Sequence, residues 1–540
     1  MSSTAAKDVA LTLVAHGIDT VYCLPGEETI ALLEAIDDAG IGLVVCRHEE
    51  HAAFMAAAHG RFTGSPGVVV TTLGPGLTNA ITGLAQAHLC GFPVVAISGQ
   101  KPARNNGEGS FQVLDLPAIV RPVTKWAHSV SDPRTMAADT SRAISVAMAP
   151  RPGPVLLEIP EDIAGEETDG GSTPAALSPS LPVAASTTIK RVQSLIADAV
   201  SPVLLTGAAT QLGGIPDALT AFVEATGIGL VASQMGKGAL AEDHPNSLRA
   251  LSLNSTDIPT KPLLEADLIV AVGFQPVEHP PSSFNVDGTK AIVHIDTAAP
   301  EIEHCYRPCE VLLGDIAANL LALLPQDQSS ATERFEATTK QRQAVNSALR
   351  SEQRPASYPP SAHTVIESIR RHLGRRDIVA LDNGAYKVWF ARHYPALAPN
   401  TLVLDNALAT MGAGLATAMV AARLYPERKI VAVCGDGGFM MNIQDLETAK
   451  RLGLTNLTVL ILNDDTYGFI AWHQDEQGMR RTAVAVENPD FVAVANAFGV
   501  TGRRVGPDDD LDAVVASAFG SNELNVVECP LDQQRNSELK

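Results

Sequence analysis

Residues 429–465 read KIVAVCGDGGFMMNIQDLETAKRLGLTNLTVLILNDD. An apolar run, Ile430 to Val433, leads straight into a glycine turn that holds one carboxylate, Asp436, between Gly435 and the Gly437–Gly438 pair. A helical segment follows, NIQDLETAKRL, and then a second apolar run, LTVLILN, that ends at Asp464 and Asp465. Strand, helix and strand in that order form a βαβ crossover, which brings two parallel strands together with both acidic ends on one sheet edge. Continuous β-branched runs, as opposed to strict alternation, suit strands covered on both faces, the usual condition of a parallel sheet.

The chemistry of that edge follows from its residue types. Two carboxylates are hard oxygen ligands that suit Mg²⁺ or Ca²⁺, and Mg²⁺ is commonly completed by water and phosphate oxygens. The glycine turn leaves backbone N–H groups free to approach an anion at a helix start. Turn shaping and helix capping account for a lone GDG. The second acidic strand end, 28 residues further on, makes a cation site the better reading.

The same alternation recurs along the chain. The first third carries GLVVC, GVVVTT and PVVAIS; the second PVLLTG, LIVAVG and AIVHID; the last DIVAL and NVVEC beside the runs above. Two polar stretches, residues 165–189 rich in Gly, Ser, Thr and Pro and residues 325–362 with a helix in their middle, read as linkers. The prediction is an α/β chain of three doubly wound parallel-sheet domains, over residues 1–170, 188–328 and 358–540. In such sheets ligands bind beyond the carboxyl ends of the strands.

Composition narrows the function. The 540 residues carry 39 basic against 60 acidic side chains, a net charge of −21, which excludes a nucleic-acid footprint. An anionic ligand therefore needs local donors or a metal. No stretch reaches the roughly 18 apolar residues of a membrane span. His16, Gly17 and Asp19 interrupt the N-terminal segment, so no signal peptide is expected and a cytoplasmic location is the default. The seven cysteines show no disulfide framework, and His304, Cys305 and Cys309 in HCYRPCE lack the second ligand pair of a zinc site.

Two further stretches sit at strand-to-helix junctions. In GLVVCRHEEHAAFMAAAHGRFTG, Glu49 lies where a helix begins, and taken alone it reads as favourable N-terminal helix charge. In TTLGPGLTNAITGL, the turn Gly74-Pro75-Gly76 leads into a helix that carries Asn79.

Taken together, RHEEHAAFMAAAHGRFTG, TTLGPGLTN, RPGPVLLEIPED, LDNALATMGAGLATA and GDGGFMMNIQDLETA with LNDDTYG resemble the thiamine diphosphate-dependent family of acetolactate synthases and 2-oxoacid decarboxylases. The resemblance runs almost end to end and is nearest to acetolactate synthase large subunits, the catabolic type included. It implies an N-terminal pyrimidine-binding domain, a central domain and a C-terminal diphosphate-binding domain. It places Mg²⁺ on Asp436, on Asp464 where many members have Asn, and on the carbonyl of Thr466. Gly435, Gly437 and Gly438 with Gly384, Ala385 and Tyr386 would contact the diphosphate. Gly74, Pro75, Gly76, Asn79 and Ala409 would bind the rest of thiamine diphosphate, and Met411 would prop it into a V shape.

The resemblance also changes the reading of Glu49, which matches the family's catalytic glutamate. A carboxylic acid against N1′ of the aminopyrimidine favours the imino tautomer, whose nitrogen then takes the proton from thiazolium C2. Gln112 and Phe111 match positions facing the reactive end of the cofactor. In the family the glutamate and the diphosphate site come from different subunits, which implies a homodimer or homotetramer with active sites between subunits.

The implied reaction is decarboxylation of a 2-oxoacid, pyruvate first, with carboligation to a second carbonyl. One alternative is a decarboxylase or carboligase acting on a different 2-oxoacid or an aldehyde acceptor. Another is a binding protein on a dead enzyme scaffold, against which Glu49, Asp436 and Asp464 together argue. The chain departs from the family at Glu28, where catabolic members have lysine, and at Phe111, where they have histidine. GFQPVEHPPSS lacks the arginine that biosynthetic members use near the acceptor, and nothing there points to their FAD. These losses weaken the case for a carboxylate-bearing acceptor, and leave Lys101, Arg104, His473 and Arg480 as the cations to compensate.

Overall fold

A computed structural model describes residues 3–105, 111–170, 180–252, 258–325, 331–351 and 357–532. Three six-stranded sheets organise the chain, and every pairing within them is parallel. The N-terminal sheet comprises β1 (Thr20–Cys23), β2 (Gly42–Val45), β3 (Gly67–Thr71), β4 (Val94–Gln100), β5 (Trp126–Ser129) and β6 (Pro154–Pro160), in the order β2-β1-β3-β4-β6-β5. The central sheet comprises β7 (Pro202–Thr206), β8 (Gly229–Ala232), β9 (Ser247–Ala250), β10 (Leu268–Val272), β11 (Ala291–Asp296) and β12 (Glu310–Leu313), in the order β9-β8-β7-β10-β11-β12. The C-terminal sheet comprises β13 (Ile378–Leu381), β14 (Leu402–Val403), β15 (Ile430–Gly435), β16 (Leu457–Asn463), β17 (Thr501–Arg504) and β18 (Asn525–Pro530), in the order β14-β13-β15-β16-β18-β17. The first and last sheets thus share one topology.

The apolar runs behave as expected of two-faced burial. Val68, Val69 and Val70 on β3 and Val431, Ala432 and Val433 on β15 are all fully buried, so neither face of either strand meets water. In each sheet the strand order reverses near the middle, between β1 and β3, β7 and β10, and β13 and β15. At such a switch point the loops leave on opposite faces and open a crevice beyond the strand ends.

One local expectation is corrected. Asp436 does not precede a single helix over NIQDLETAKRL. It opens a short helix, Asp436–Met441, directly from β15, and a second helix spans Asp445–Arg451. Without side chains at Gly437 and Gly438, the backbone can turn into a helix immediately under the strand end.

Two compact units emerge. One holds the N-terminal sheet together with Met419–Ala421 and Asn442–Leu452; the other holds the central and C-terminal sheets. In the first, Asp445 accepts hydrogen bonds from the Arg47 backbone N–H (3.2 Å) and the Thr448 hydroxyl (2.5 Å), and also pairs with the buried His51. These contacts pin the Asp445–Arg451 helix beside the helix that begins at Glu49.

In the second unit, helix Ala331–Ser351 lies on the central sheet, with the Thr338 hydroxyl donating to the Gly227 carbonyl (3.0 Å). The Asn400 N–H donates to Gln211 Oε1 (2.9 Å), and Ala396 N–H to Glu242 Oε2 (3.0 Å), tying the central and C-terminal sheets together. Glu242 Oε1 also accepts from the fully buried Lys237 Nζ at 2.5 Å. Burial pushes the Lys237 ammonium down, and Glu242 opposes that. Among the described residues, no helix is long and apolar enough to cross a membrane. No disulfide links any of the seven cysteines.

Breaking a buried ion pair costs more than replacing it. Glu242→Ala should therefore lose about 3–5 kcal/mol in urea denaturation, and Lys237→Met with Glu242→Leu should recover most of that loss. Equal losses in the two variants would contradict this account of the junction.

Candidate functional site

At the C-terminal switch point the ends of β13, β15 and β16 surround a cavity of about 150 Å³. It is lined by Gly384, Ala385, Tyr386, Met411, Gly435, Asp436, Gly437, Gly438, Asp464 and Thr466, ten of the residues singled out from the sequence. Pairing of Gly435 on β15 with Leu462 on β16 sets the register that brings Asp436 and Asp464 to the same edge. Gly437 N–H donates to Asp436 Oδ1 (2.8 Å) and Asn488 Nδ2 to Asp436 Oδ2 (2.6 Å), which fixes that carboxylate. The Thr466 carbonyl, accepting from Gly468 N–H at 2.9 Å, keeps a second lone pair for a ligand.

Close approach explains the glycines. A Cβ on Gly437 would come within 2.8 Å of the Tyr467 ring, and one on Gly438 would run into the Asp382 carboxylate. Asp382, at the end of β13, is the hub of the turn: its Oδ1 accepts from Asn383 N–H (2.9 Å) and Gly412 N–H (2.8 Å). Burial pushes its carboxyl up to about 6. The neighbouring loop is held by Asp405, whose Oδ2 accepts from Ala409 N–H (3.1 Å) and keeps Ala409 at φ 55°. Asn406 in the same loop donates to the Glu278 carbonyl of the central domain (2.8 Å), so Met411 is carried on a loop braced from two sides.

The electrostatics fit a divalent cation. Burial, and then the charge of Asp436, push Asp464 up to about 7, while burial also raises Asp436. A buried and a half-buried carboxylate that cannot both ionise cheaply are the donor set a cation would relieve, since it would supply the opposite charge at the shared edge.

The N-terminal unit carries the other predicted residues. Glu49 opens helix Glu49–Thr63 and is 5% exposed, with its Oε2 accepting from Asn79 Nδ2 at 3.0 Å. Asn79 sits one turn into helix Pro75–Cys90, which starts at the Gly74-Pro75-Gly76 turn with Gly74 at φ 52°. A Cβ there would come within 2.6 Å of the Gln112 carbonyl, so this glycine lets the two loops touch. Gln112 is itself at φ 62°, and Phe111 is 77% exposed.

The central switch point is filled by the chain itself. The buried Glu278 carboxylate accepts from Ala208 N–H (2.9 Å) and the Ser233 hydroxyl (2.6 Å) through Oε2, and from Gln275 N–H (3.2 Å) through Oε1. It stands where a ligand's anion would otherwise meet those donors, and burial raises it to about 7.

Sequence reasoning missed Asp382 and Asn488. Asp382 shares the signal that revealed Asp436, an acid closing an apolar run before a glycine, and was within reach. Asn488 lies in an irregular segment with no local pattern to mark it.

Comparison with known proteins matches the three-sheet organisation. Residues 3–119, 189–323 and 382–529 match family models described as the N-terminal TPP binding domain, the central domain and the C-terminal TPP binding domain of thiamine pyrophosphate enzymes. The chain is similar to an acetolactate synthase of Bacillus subtilis, at 31% identity over 100% of this chain and 95% of that protein. A catabolic acetolactate synthase of Raoultella terrigena is 31% identical over 97% and 94%. The large subunit of acetolactate synthase isozyme 2 from Escherichia coli is 30% identical over 98% and 96%.

The raised Asp464 carboxyl gives a signed pH dependence. Its value in the folded chain, about 7, lies above the ordinary 3.8, so the fold holds this proton across that window and a cation must displace it. Mg²⁺ added to metal-free protein should raise the thermal unfolding midpoint by several degrees near about pH 8 and much less near about pH 5.5. Equal shifts at both values would contradict the assignment of the pair.

Proposed function

The chain belongs to the thiamine pyrophosphate enzymes, and from that premise we propose that it binds thiamine diphosphate with Mg²⁺ at the Asp436 cleft and decarboxylates a 2-oxoacid, pyruvate first, joining the fragment to a second carbonyl as acetolactate synthases do. The observation that carries this reading is the pair of carboxylates, buried Asp436 and half-buried Asp464, at neighbouring strand ends over a glycine turn.

Asp436, Asp464 and the Thr466 carbonyl would hold the cation. Gly435, Gly437 and Gly438 with Gly384, Ala385 and Tyr386 would take the diphosphate, and Ala409 and Met411 the middle of the cofactor. Gly74, Pro75, Gly76 and Asn79 would serve its pyrimidine end. When bound, thiamine diphosphate supplies a carbon nucleophile and an electron sink for loss of CO₂. Glu49 holds the proton at N1′ of the aminopyrimidine, and Asn79 orients its carboxyl. Gln112 and Phe111 border the reacting end. The same proposal includes a homodimer or homotetramer with sites between subunits, to be checked by light scattering, and a cytoplasmic location, which seven cysteines without a disulfide support.

Two measurements test the reading. Glu49→Gln should keep its affinity for thiamine diphosphate but exchange the C2 proton at least about 100-fold more slowly, a loss typical of a missing acid–base group. Exchange at the wild-type rate would overturn the role of Glu49. Protein supplied with pyruvate, Mg²⁺ and cofactor should form acetolactate. Acetaldehyde alone, or no turnover, would shift the assignment to a decarboxylase or carboligase on another 2-oxoacid or an aldehyde acceptor.

A further inference from the structure

The N-terminal switch point is neither open like the C-terminal one nor plugged like the central one. Glu28 follows β1, Thr72 follows β3 and Lys101 follows β4, and the three side chains meet at the crevice between those strand ends. Thr72 Oγ1 donates to Glu28 Oε2 at 2.5 Å, and Lys101 Nζ donates to Glu28 Oε1 at 2.6 Å. Glu28 is buried, and a Cβ on Gly99 would come within 2.8 Å of its Cβ, so the β4 loop closes against it only because Gly99 is a glycine. The same edge carries Glu49 after β2, and Asn79 and Gln112 beside the β3 loop.

We propose that Lys101, braced by the buried Glu28, binds the carboxylate of the 2-oxoacid substrate and so determines which carbonyl compounds the enzyme accepts. The inference rests on the 2-oxoacid reading above and names the residue that serves it.

Three observations support it. First, in a chain of net charge −21 a substrate carboxylate needs a local cation. The loops after β1 and β3 contain none. After β2, Arg47 is paired with Glu447 (2.8 Å) and His48 accepts from Glu50 N–H (3.1 Å). After β4 stand Lys101 and the exposed Arg104. Among the described residues of this edge, Lys101 is the cation anchored to a buried partner in the crevice.

Second, the anchor leaves donors to spare. An ammonium has three N–H donors. One goes to Glu28, and the Lys101 side chain stays 21% exposed, with Glu27 at 3.9 Å and largely in solvent. Third, the pair is held in its charged form. Burial pushes the Glu28 carboxyl up, but hydrogen bonds from Lys101 and Thr72 outweigh it and leave the group below its usual value, while the bond to Glu28 holds Lys101 above its own. Because the pair is close to neutral overall, its pull is short-ranged and favours a carboxylate in direct contact over a distant anion. Glu28 therefore fixes a cation on this edge; it does not remove one. Of the remaining candidates, on the C-terminal domain, His473 packs against Phe469 and Trp472 and Arg480 is exposed, so neither is anchored to a buried acid as Lys101 is.

The test compares wild type, Lys101→Met and Lys101→Arg as holoenzymes with pyruvate. Lys101→Met should raise KM for pyruvate about tenfold or more, the scale of a hydrogen bond to a charged group, with thiamine diphosphate affinity unchanged. Lys101→Arg should restore most of the loss. A second readout avoids turnover: calorimetry should show pyruvate binding to Glu49→Gln about tenfold more tightly than to Glu49→Gln with Lys101→Met. An unchanged KM and an unchanged binding constant in an enzyme that does turn over pyruvate would overturn the assignment of Lys101 alone. No turnover in wild type together with no pyruvate binding to Glu49→Gln would overturn the 2-oxoacid reading and this inference with it.

Discussion

Two carboxylates crowded at the ends of neighbouring parallel strands, one buried and one half-buried, set the terms for the C-terminal domain. Asp436 and Asp464 repel each other in a poorly hydrated place, and burial holds Asp464 near about 7. Such a pair persists only where the surrounding structure over-determines it. Here the β15–β16 register places both groups, Gly437 and Gly438 let the backbone pass beneath Tyr467 and over Asp382, and Asn488 fixes the Asp436 oxygens. Each of these devices lies on a different element, and all converge on one edge. A divalent cation there would turn their mutual repulsion into coordination.

The three sheets then read as variations on a single geometric opportunity. Each reverses its strand order near the middle of the sheet and so opens a crevice there. In the C-terminal sheet that crevice is open and lined by acids and glycines. In the central sheet Glu278 spends the available donors on a carboxylate of the chain itself. In the N-terminal sheet Glu28 takes up Thr72 and anchors Lys101. The identity of one acidic side chain near each strand end decides what the crevice does.

How much of this was legible depended on sequence distance. The inner strands such as β3 and β15 were plain because each is a short apolar run, whereas β5 (Trp126–Ser129), β9 (Ser247–Ala250) and β17 (Thr501–Arg504) carry polar residues and went unread. Asp436 with Asp464 was plain because a βαβ crossover fixes the relation of its two ends. The Asp436–Met441 helix was missed because glycines lower helix propensity and read as a loop. Glu49 looked like helix-end charge until the family pattern was weighed, since nothing beside it in sequence reveals its partner Asn79. Glu28 looked like a lost cation, for its partner Lys101 lies 73 residues away and strand order alone brings them together. Long-range side-chain pairing, not local propensity, separates what could be read from what had to be seen.

The central claim is that the β15–β16 edge holds thiamine diphosphate through a divalent cation. Equilibrium dialysis of thiamine diphosphate against wild type and Asp436→Asn, each with and without Mg²⁺, addresses it directly. The account predicts tight binding only by wild type with the cation present, and a large loss either on chelation or in the variant. Equal binding in all four conditions would contradict it.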